Sequence, residues 1–135
     1  MQSRNQDGDT PLHYSSAFKH DALSRALIAA GAAVNATNAR GETPLHTAVD
    51  SGARTAVHLL ISSRALVNAA THATGDTPLH YACVWGFVPV VNLLLECGAD
   101  PGIANAGYST PRDEAVSKGY QTCVDLIDGF PGPCL

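Results

Sequence analysis

Thr77-Pro78-Leu79-His80-Tyr81-Ala82, answered further along by Leu94-Leu95-Glu96-Cys97-Gly98-Ala99-Asp100, is the stretch on which the fold turns. Its opening tetrapeptide occurs three times, as Thr10-Pro11-Leu12-His13, Thr43-Pro44-Leu45-His46 and Thr77-Pro78-Leu79-His80. A degenerate fourth copy reads Thr110-Pro111-Arg112-Asp113, and the spacings are 33, 34 and 33 residues. A fixed period of this length marks a chain built from stacked supersecondary units. Sixteen residues after each Pro stands an aliphatic, Leu27, Leu60, Leu94 or Ile127, and four residues later come Gly31, Arg64, Gly98 and Pro131.

The physics of one unit follows from its residues. A Thr hydroxyl caps free backbone N–H groups, and Pro fits the first helical position, so a first helix opens at each Thr-Pro. It is about two turns long and ends before Lys19, Gly52, Gly86 and Gly119. A second helix is expected over Leu23/Ala26/Leu27, Val57/Leu60/Ile61, Val91/Leu94/Leu95 and Val124/Ile127, each set forming one apolar stripe. Gly31 and Gly98 suit the left-handed residue that ends a helix, and Arg64 shares their column. The links Ala39-Arg40-Gly41-Glu42, Thr74-Gly75-Asp76 and Ala106-Gly107-Tyr108 carry turn signals. The extra residue behind the 34 spacing lies between Asn68 and Gly75, in a link rather than a helix. One helix pair has no second layer against which to bury its stripe; stacked neighbours supply one, which makes a solenoid.

Length and composition agree. The chain has 135 residues, 45% of them apolar, which suits one folded domain. Twenty-one Ala against eight aromatics make the core one of small and aliphatic side chains. A net charge of −4 and a pI near 5.8 argue against nucleic acid as the partner. No apolar run reaches the ~18 residues of a membrane span. Met1 to Gln6 shows no signal core, so an intracellular location, cytoplasmic or nuclear, is expected. Cys83, Cys97, Cys123 and Cys134 lack metal-ligand spacing. The first three read as small buried hydrophobes in a reducing compartment, and Cys134 as a thiol in a Gly/Pro tail.

The T-P-L-H-x-A start, the 33-residue period and the L-L-x-x-G-A-D close resemble ankyrin repeats over about residues 5–130. The expected fold is an all-α repeat solenoid of ankyrin repeats. The resemblance implies helix-turn-helix units joined by β-hairpin fingers, the fingers and first helices lining a concave surface. The units are placed at 5–37, 38–70, 71–104 and 105–130, between tails at 1–4 and 131–135. Ser15-Ser16 in the first unit, and Arg112, Asp113 and Asp128 in the last, read as polar caps. His13, His46 and His80 recur once per unit, too far apart to share a metal, and the family pattern implies that each ties a helix start to the neighbouring loop. His20, His58 and His72 are expected to be solvated, and the sequon Asn35-Ala36-Thr37 to stay unused.

No catalytic motif is present, so no enzyme activity, cofactor or metal is expected. The expected partner is another protein, with no nucleic acid and no membrane insertion, and the chain alone is expected to be a monomer. Trp85, the only Trp, stands late in a first helix beside Val84; Phe18 shares its column, and Asp50 and Ser51 are the corresponding pair in the second unit. With Arg40, Glu42, Thr74, Asp76 and Tyr108 on the fingers they form the expected binding surface. Asn35 and Asn68, each eight residues after a Leu, resemble the targets of the asparaginyl hydroxylase that modifies ankyrin domains. Around Trp85 the third unit also resembles a repeat of integrin-linked kinase, so a recognition domain of a signalling kinase or scaffold is one alternative. Four repeats in this length is also the size of the ankyrin-type cyclin-dependent-kinase inhibitors.

Overall fold

The computed structural model describes residues 5–129; Cys134 and both tails lie outside them. Eight helices follow one another within that span. They pair as α1 (Pro11–Ala17) with α2 (Asp21–Ala29), α3 (Pro44–Asp50) with α4 (Arg54–Ser62), α5 (Pro78–Trp85) with α6 (Val88–Glu96), and α7 (Pro111–Lys118) with α8 (Gln121–Gly129). First helices pack on first helices, α1 on α3 on α5 on α7, and second helices on second helices. None exceeds nine residues. Helices this short are marginal alone in water, so stacking supplies their stability.

Each first helix starts at its Thr-Pro in the same way. The Thr sits in extended backbone and accepts from the N–H of the residue three on, His13, His46, His80 or Asp113. The return bond comes from the Thr N–H: it donates to Nδ1 of His13, His46 and His80 at 3.0, 3.1 and 3.0 Å, and to Oδ2 of Asp113 at 3.0 Å. Each His then reaches out of its own repeat. The Nε2 of His13 meets the Glu42 carbonyl at 2.7 Å, that of His46 the Asp76 carbonyl at 2.9 Å, and that of His80 the Ser109 carbonyl at 2.8 Å. Nδ1 accepts and Nε2 donates, so all three imidazoles are neutral and of one tautomer. Burial holds His46 below its ordinary value of 6.5, although the Asp76 carbonyl and the Glu42 charge pull the other way.

The core lies between successive pairs: Leu12, Leu45 and Leu79 from the first helices, Val57, Leu60, Val91, Leu94 and Leu95 from the second. Cys83 and Cys123 are buried within it, and burial pushes the Cys83 thiol up to about 12. Cys97, expected to be buried, is only half-buried at the last turn of its repeat.

Three expectations need correction. First, the second-helix stripe of repeat 1 is set one residue later than Leu23/Ala26/Leu27. The residue that aligns with Val57, Val91 and Val124 is Ser24, which is fully buried, while Leu23 is half-exposed. Second, Ser15 and Ser16 do not face water: both are fully buried, and Ser15 Oγ meets Ser24 Oγ at 2.7 Å. The Ser24 hydroxyl donates to Ser15 Oγ, which donates on to the Leu12 carbonyl at 3.3 Å, so a polar pair takes the place of an aliphatic contact. Third, no strand occurs among the described residues. Each link is a turn closed by few bonds, as where Asn38 N–H donates to the Glu42 carbonyl at 2.9 Å. The fourth finger closes the same way from Asn105 to Ser109 at 2.8 Å, whereas the third runs from Thr71 to Asp76 at 3.0 Å and so contains the inserted residue.

Left-handed backbone ends the second helices at Gly31 (φ 91°), Arg64 (φ 73°) and Gly98 (φ 97°). Arg64 carries a Cβ where its neighbours in the column have none. Arg64→Gly should therefore raise stability by roughly 1 kcal/mol, read as an upward shift of the urea midpoint at unchanged slope. His46→Ala strands the Thr43 N–H and removes one of the two bonds to the Asp76 carbonyl, and should cost about 1–3 kcal/mol in the same measurement. Because the folded His46 lies below 6.5, the unfolded chain binds its proton first as pH falls. Stability should be full above pH 6.5 and decline below it, with a shallower decline in His46→Gln.

Candidate partner-binding site

The fingers are held before any partner arrives. Asn38 Oδ1 accepts from the N–H groups of Arg40 and Glu42 at 3.0 and 2.9 Å, and Asn5 and Asn105 do the same for their own fingers. Thr71 occupies this place in finger 3, its hydroxyl meeting the N–H groups of Thr74 and Asp76 at 3.3 Å each. The Asn amides also reach backwards. Asn38 Nδ2 donates to Asp9 at 2.9 Å and Asn105 Nδ2 to Asp76 at 2.9 Å. Backbone joins finger 2 to finger 1, Ala39 N–H to the Asp7 carbonyl at 3.0 Å, and finger 4 to finger 3, Ala106 N–H to the Thr74 carbonyl at 2.9 Å. Between fingers 2 and 3 the His72 ring reaches the Ala39 carbonyl at 2.9 Å. His72 is exposed, as expected, but it is a strut rather than a free solvated ring.

Between the fingers and the first helices lies a hollow of about 380 Å³ lined by Asp9, Ala17, Arg40, Glu42, Thr47, Asp50, Ser51 and Tyr81. Of the expected residues, Arg40, Glu42, Asp50 and Ser51 line it. Trp85 joins them through Asp50: its indole Nε1–H donates to the Asp50 carboxylate at 2.7 Å. The indole remains 52% exposed and stacks beside Phe87 at 6.3 Å. Trp85 is thus neither core nor loose; one polar bond orients a large apolar face toward water.

Other expected residues stand elsewhere. Phe18 packs on Tyr14 as a tilted pair, ring centroids 4.5 Å apart, in the first repeat. Val84 is half-buried. Asp76 accepts from Thr74 at 2.8 Å and from Asn105, so both its oxygens serve the finger. Tyr108 is 91% exposed at the tip of finger 4, with φ at 65°. Glu42 is the clearest departure. It is 7% exposed, accepting from the Tyr81 hydroxyl at 2.6 Å and from Asn38 at 2.9 Å, with Arg40 at 3.5 Å. Burial would raise its carboxyl, but those bonds and the Arg40 charge outweigh burial and hold it below its ordinary value of 4.5. Burial and the Glu42 carboxylate in turn push the Tyr81 hydroxyl well above 10. Asp9, Ala17, Thr47 and Tyr81 line the hollow without belonging to the expected set; the signal for Tyr81 is an aromatic at the variable position of T-P-L-H-x-A.

Asn35 and Asn68 brace successive repeats. Asn35 accepts from Leu66 N–H at 2.8 Å and donates to the Arg64 carbonyl at 3.3 Å; Asn68 treats Asp100 and Gly98 alike, at 2.8 and 3.3 Å. A second hollow, of about 290 Å³, lies between α4 and α6, lined by Arg54, Thr55, His58 and Leu93. It touches neither the fingers nor an exposed aromatic. Among the described residues no three His, Cys, Asp or Glu side chains are grouped to hold a metal, and no helix is long and apolar enough to cross a membrane.

A family model described as ankyrin repeats (3 copies) matches residues 1–71, 27–105 and 65–129. The chain belongs to the ankyrin repeat family. Over 57 residues, 42% of this chain, it is 44% identical to human neurogenic locus notch homolog protein 4 and 39% identical to human Rabankyrin-5. Those matches span only 3% and 5% of the relatives' own lengths.

Tyr81→Phe removes the shortest bond to Glu42 and should cost about 1–2 kcal/mol at neutral pH. Because Glu42 sits below 4.5 when folded, its stabilisation is present above pH 4.5 and is lost as pH falls through the folded value. The acid limb of a stability–pH curve should therefore be flatter in Tyr81→Phe than in the parent chain.

Proposed function

We propose that this ankyrin repeat domain is a non-catalytic module that binds a protein partner in the hollow between its fingers and first helices. The observation that carries the reading is Trp85: a half-exposed indole fixed by the Asp50 carboxylate at the margin of that hollow. An aromatic face held in place in advance loses little conformational freedom when covered, and Trp is enriched among residues that dominate binding energy. Asp9, Arg40, Asp50 and Ser51 around it supply directional polar contacts. Tyr108 extends the surface at the finger tips. Ankyrin repeats generally mediate protein–protein interaction, which supports a protein as the occupant. Since the curated relatives are far longer than the region they share with this chain, we place the module as the recognition part of a larger assembly, of the signalling or scaffolding kind.

Capture from native lysate with the parent chain, Trp85→Ala and a His58→Ala control tests the reading. Trp85→Ala should weaken capture by ~30-fold or more, about 2 kcal/mol, while costing no more than about 1 kcal/mol of stability. His58→Ala should capture as the parent does. Retained capture with a sharp loss of stability in Trp85→Ala would show that the indole serves the fold, and the site assignment would fall.

A further inference from the structure

Counting from the capping Thr, three positions provide contacts from one repeat to the repeat before it. At the fourth, Thr47 donates to the His13 carbonyl at 3.2 Å and Tyr81 donates to Glu42 at 2.6 Å. At the eighth, Trp85 donates to Asp50. At the thirteenth, Ala56, Val90 and Cys123 are all but fully buried. Cys123 is covered although its repeat has no described successor, so this position faces backward along the stack. In the first repeat the same three positions hold Tyr14, Phe18 and Leu23, exposed by 52%, 61% and 47%. Tyr14 meets Phe18 in a tilted pair at 4.5 Å and stacks on His20 at 6.1 Å.

The opposite end differs in kind. Position two, filled elsewhere by the buried Leu12, Leu45 and Leu79, is Arg112, and its guanidinium bonds Asp128 at 2.7 and 3.0 Å. Asp128 in turn stands in the column of Ile28, Ile61 and Leu95. Asp113 replaces the His and has no N–H to give onward.

A backbone carbonyl repeats the asymmetry. The carbonyls of Glu42, Asp76 and Ser109 each accept two bonds, one from their own finger's N–H and one from the preceding His. Asp9 is the matching residue of finger 1. Its carbonyl accepts from Asn5 N–H at 3.1 Å, and among the described residues no His donates to it.

We propose that the Tyr14–Phe18–Leu23 end is the seat of a preceding ankyrin repeat in the same polypeptide, whose His donates from Nε2 to the Asp9 carbonyl. The face continues an interface that the chain already makes three times: the thirteenth column is buried and a finger carbonyl accepts from a His at every junction, while the fourth column bonds at two of them and the eighth at one. A second copy docked head to tail is disfavoured by charge, because it would bring the carboxylate of Asp113 against the Asp9 carbonyl, with no hydrogen to share.

The test joins a copy of residues 38–70 directly ahead of Asn5 in the full chain and compares it with the parent. The urea midpoint should rise, and amide exchange in α1 and α2 should slow by at least about tenfold. Leu23→Ser should be near neutral in the parent and destabilising in the extended chain, and replacing the added repeat's His by Ala should remove most of the gain. Failure of exchange in α1 and α2 to slow, or an equal effect of Leu23→Ser in both chains, would overturn the proposal. So would a concentration-dependent dimer of the parent that Leu23→Asp abolishes, since that would give the face to a second copy.

Discussion

A neutral imidazole bonded at both ends holds this molecule in register. Nδ1 of His13, His46 and His80 accepts from the Thr at the helix start, and Nε2 meets a carbonyl in the next finger. One side chain therefore caps a helix, fixes a loop and joins two repeats. All three rings are buried, so losing either bond would leave an unpaired polar group away from water. Glutamine or asparagine cannot place a donor and an acceptor at the same separation on a rigid ring, and protonated His would lose the acceptor. The chemistry also explains why the column stops at Asp113. A carboxylate satisfies the Thr110 N–H but has nothing to donate forward.

The fingers follow from the same economy of bonds. With no strand pairing among the described residues, their geometry rests on side chains: an Asn or Thr that closes its own turn, and an Asn amide that reaches the acid of the finger before. The inserted residue of finger 3 shifts the backbone contact, and His72 fills the gap with its ring. This bracing divides the acidic groups in two. Glu42 and Asp76 are committed to the fold, whereas Asp50 lies exposed at the hollow with one bond, to Trp85. Net negative charge in the sequence thus overstates the charge open to a partner.

Much of this was legible in the residues. Thr-Pro fixed the helix starts, the left-handed column fixed the helix ends, and the 34-residue spacing placed the insertion in a finger. What was not legible depended on pairing between residues far apart. Ser15 reads as polar and exposed until Ser24, nine residues on, is seen to pair with it. That pair also hid the register of α2, because Leu23 offers a better stripe on hydrophobicity alone. Glu42 looked like a surface charge because its partner Tyr81 is a whole repeat away. Ser15-Ser16 suggested a polar cap, while the end that is open is the one bearing Tyr14, Phe18 and Leu23.

The eighth position after the capping Thr shows how one scaffold column serves different ends. It holds Phe18, Ser51, Trp85 and Lys118, which share neither size nor polarity. The core places no demand on it: Phe18 and Trp85 both remain more than half-exposed. What each does is set by the residue one repeat earlier and one position back. Trp85 finds Asp50 there and is held at the hollow. Phe18 finds no described repeat and turns to Tyr14 within its own helix. The same column thus yields an anchored aromatic at the binding surface in one repeat and part of an open stacking face in another. The difference is neighbour rather than residue type, so a column read down the sequence identifies where function is free to vary but not which function each member takes.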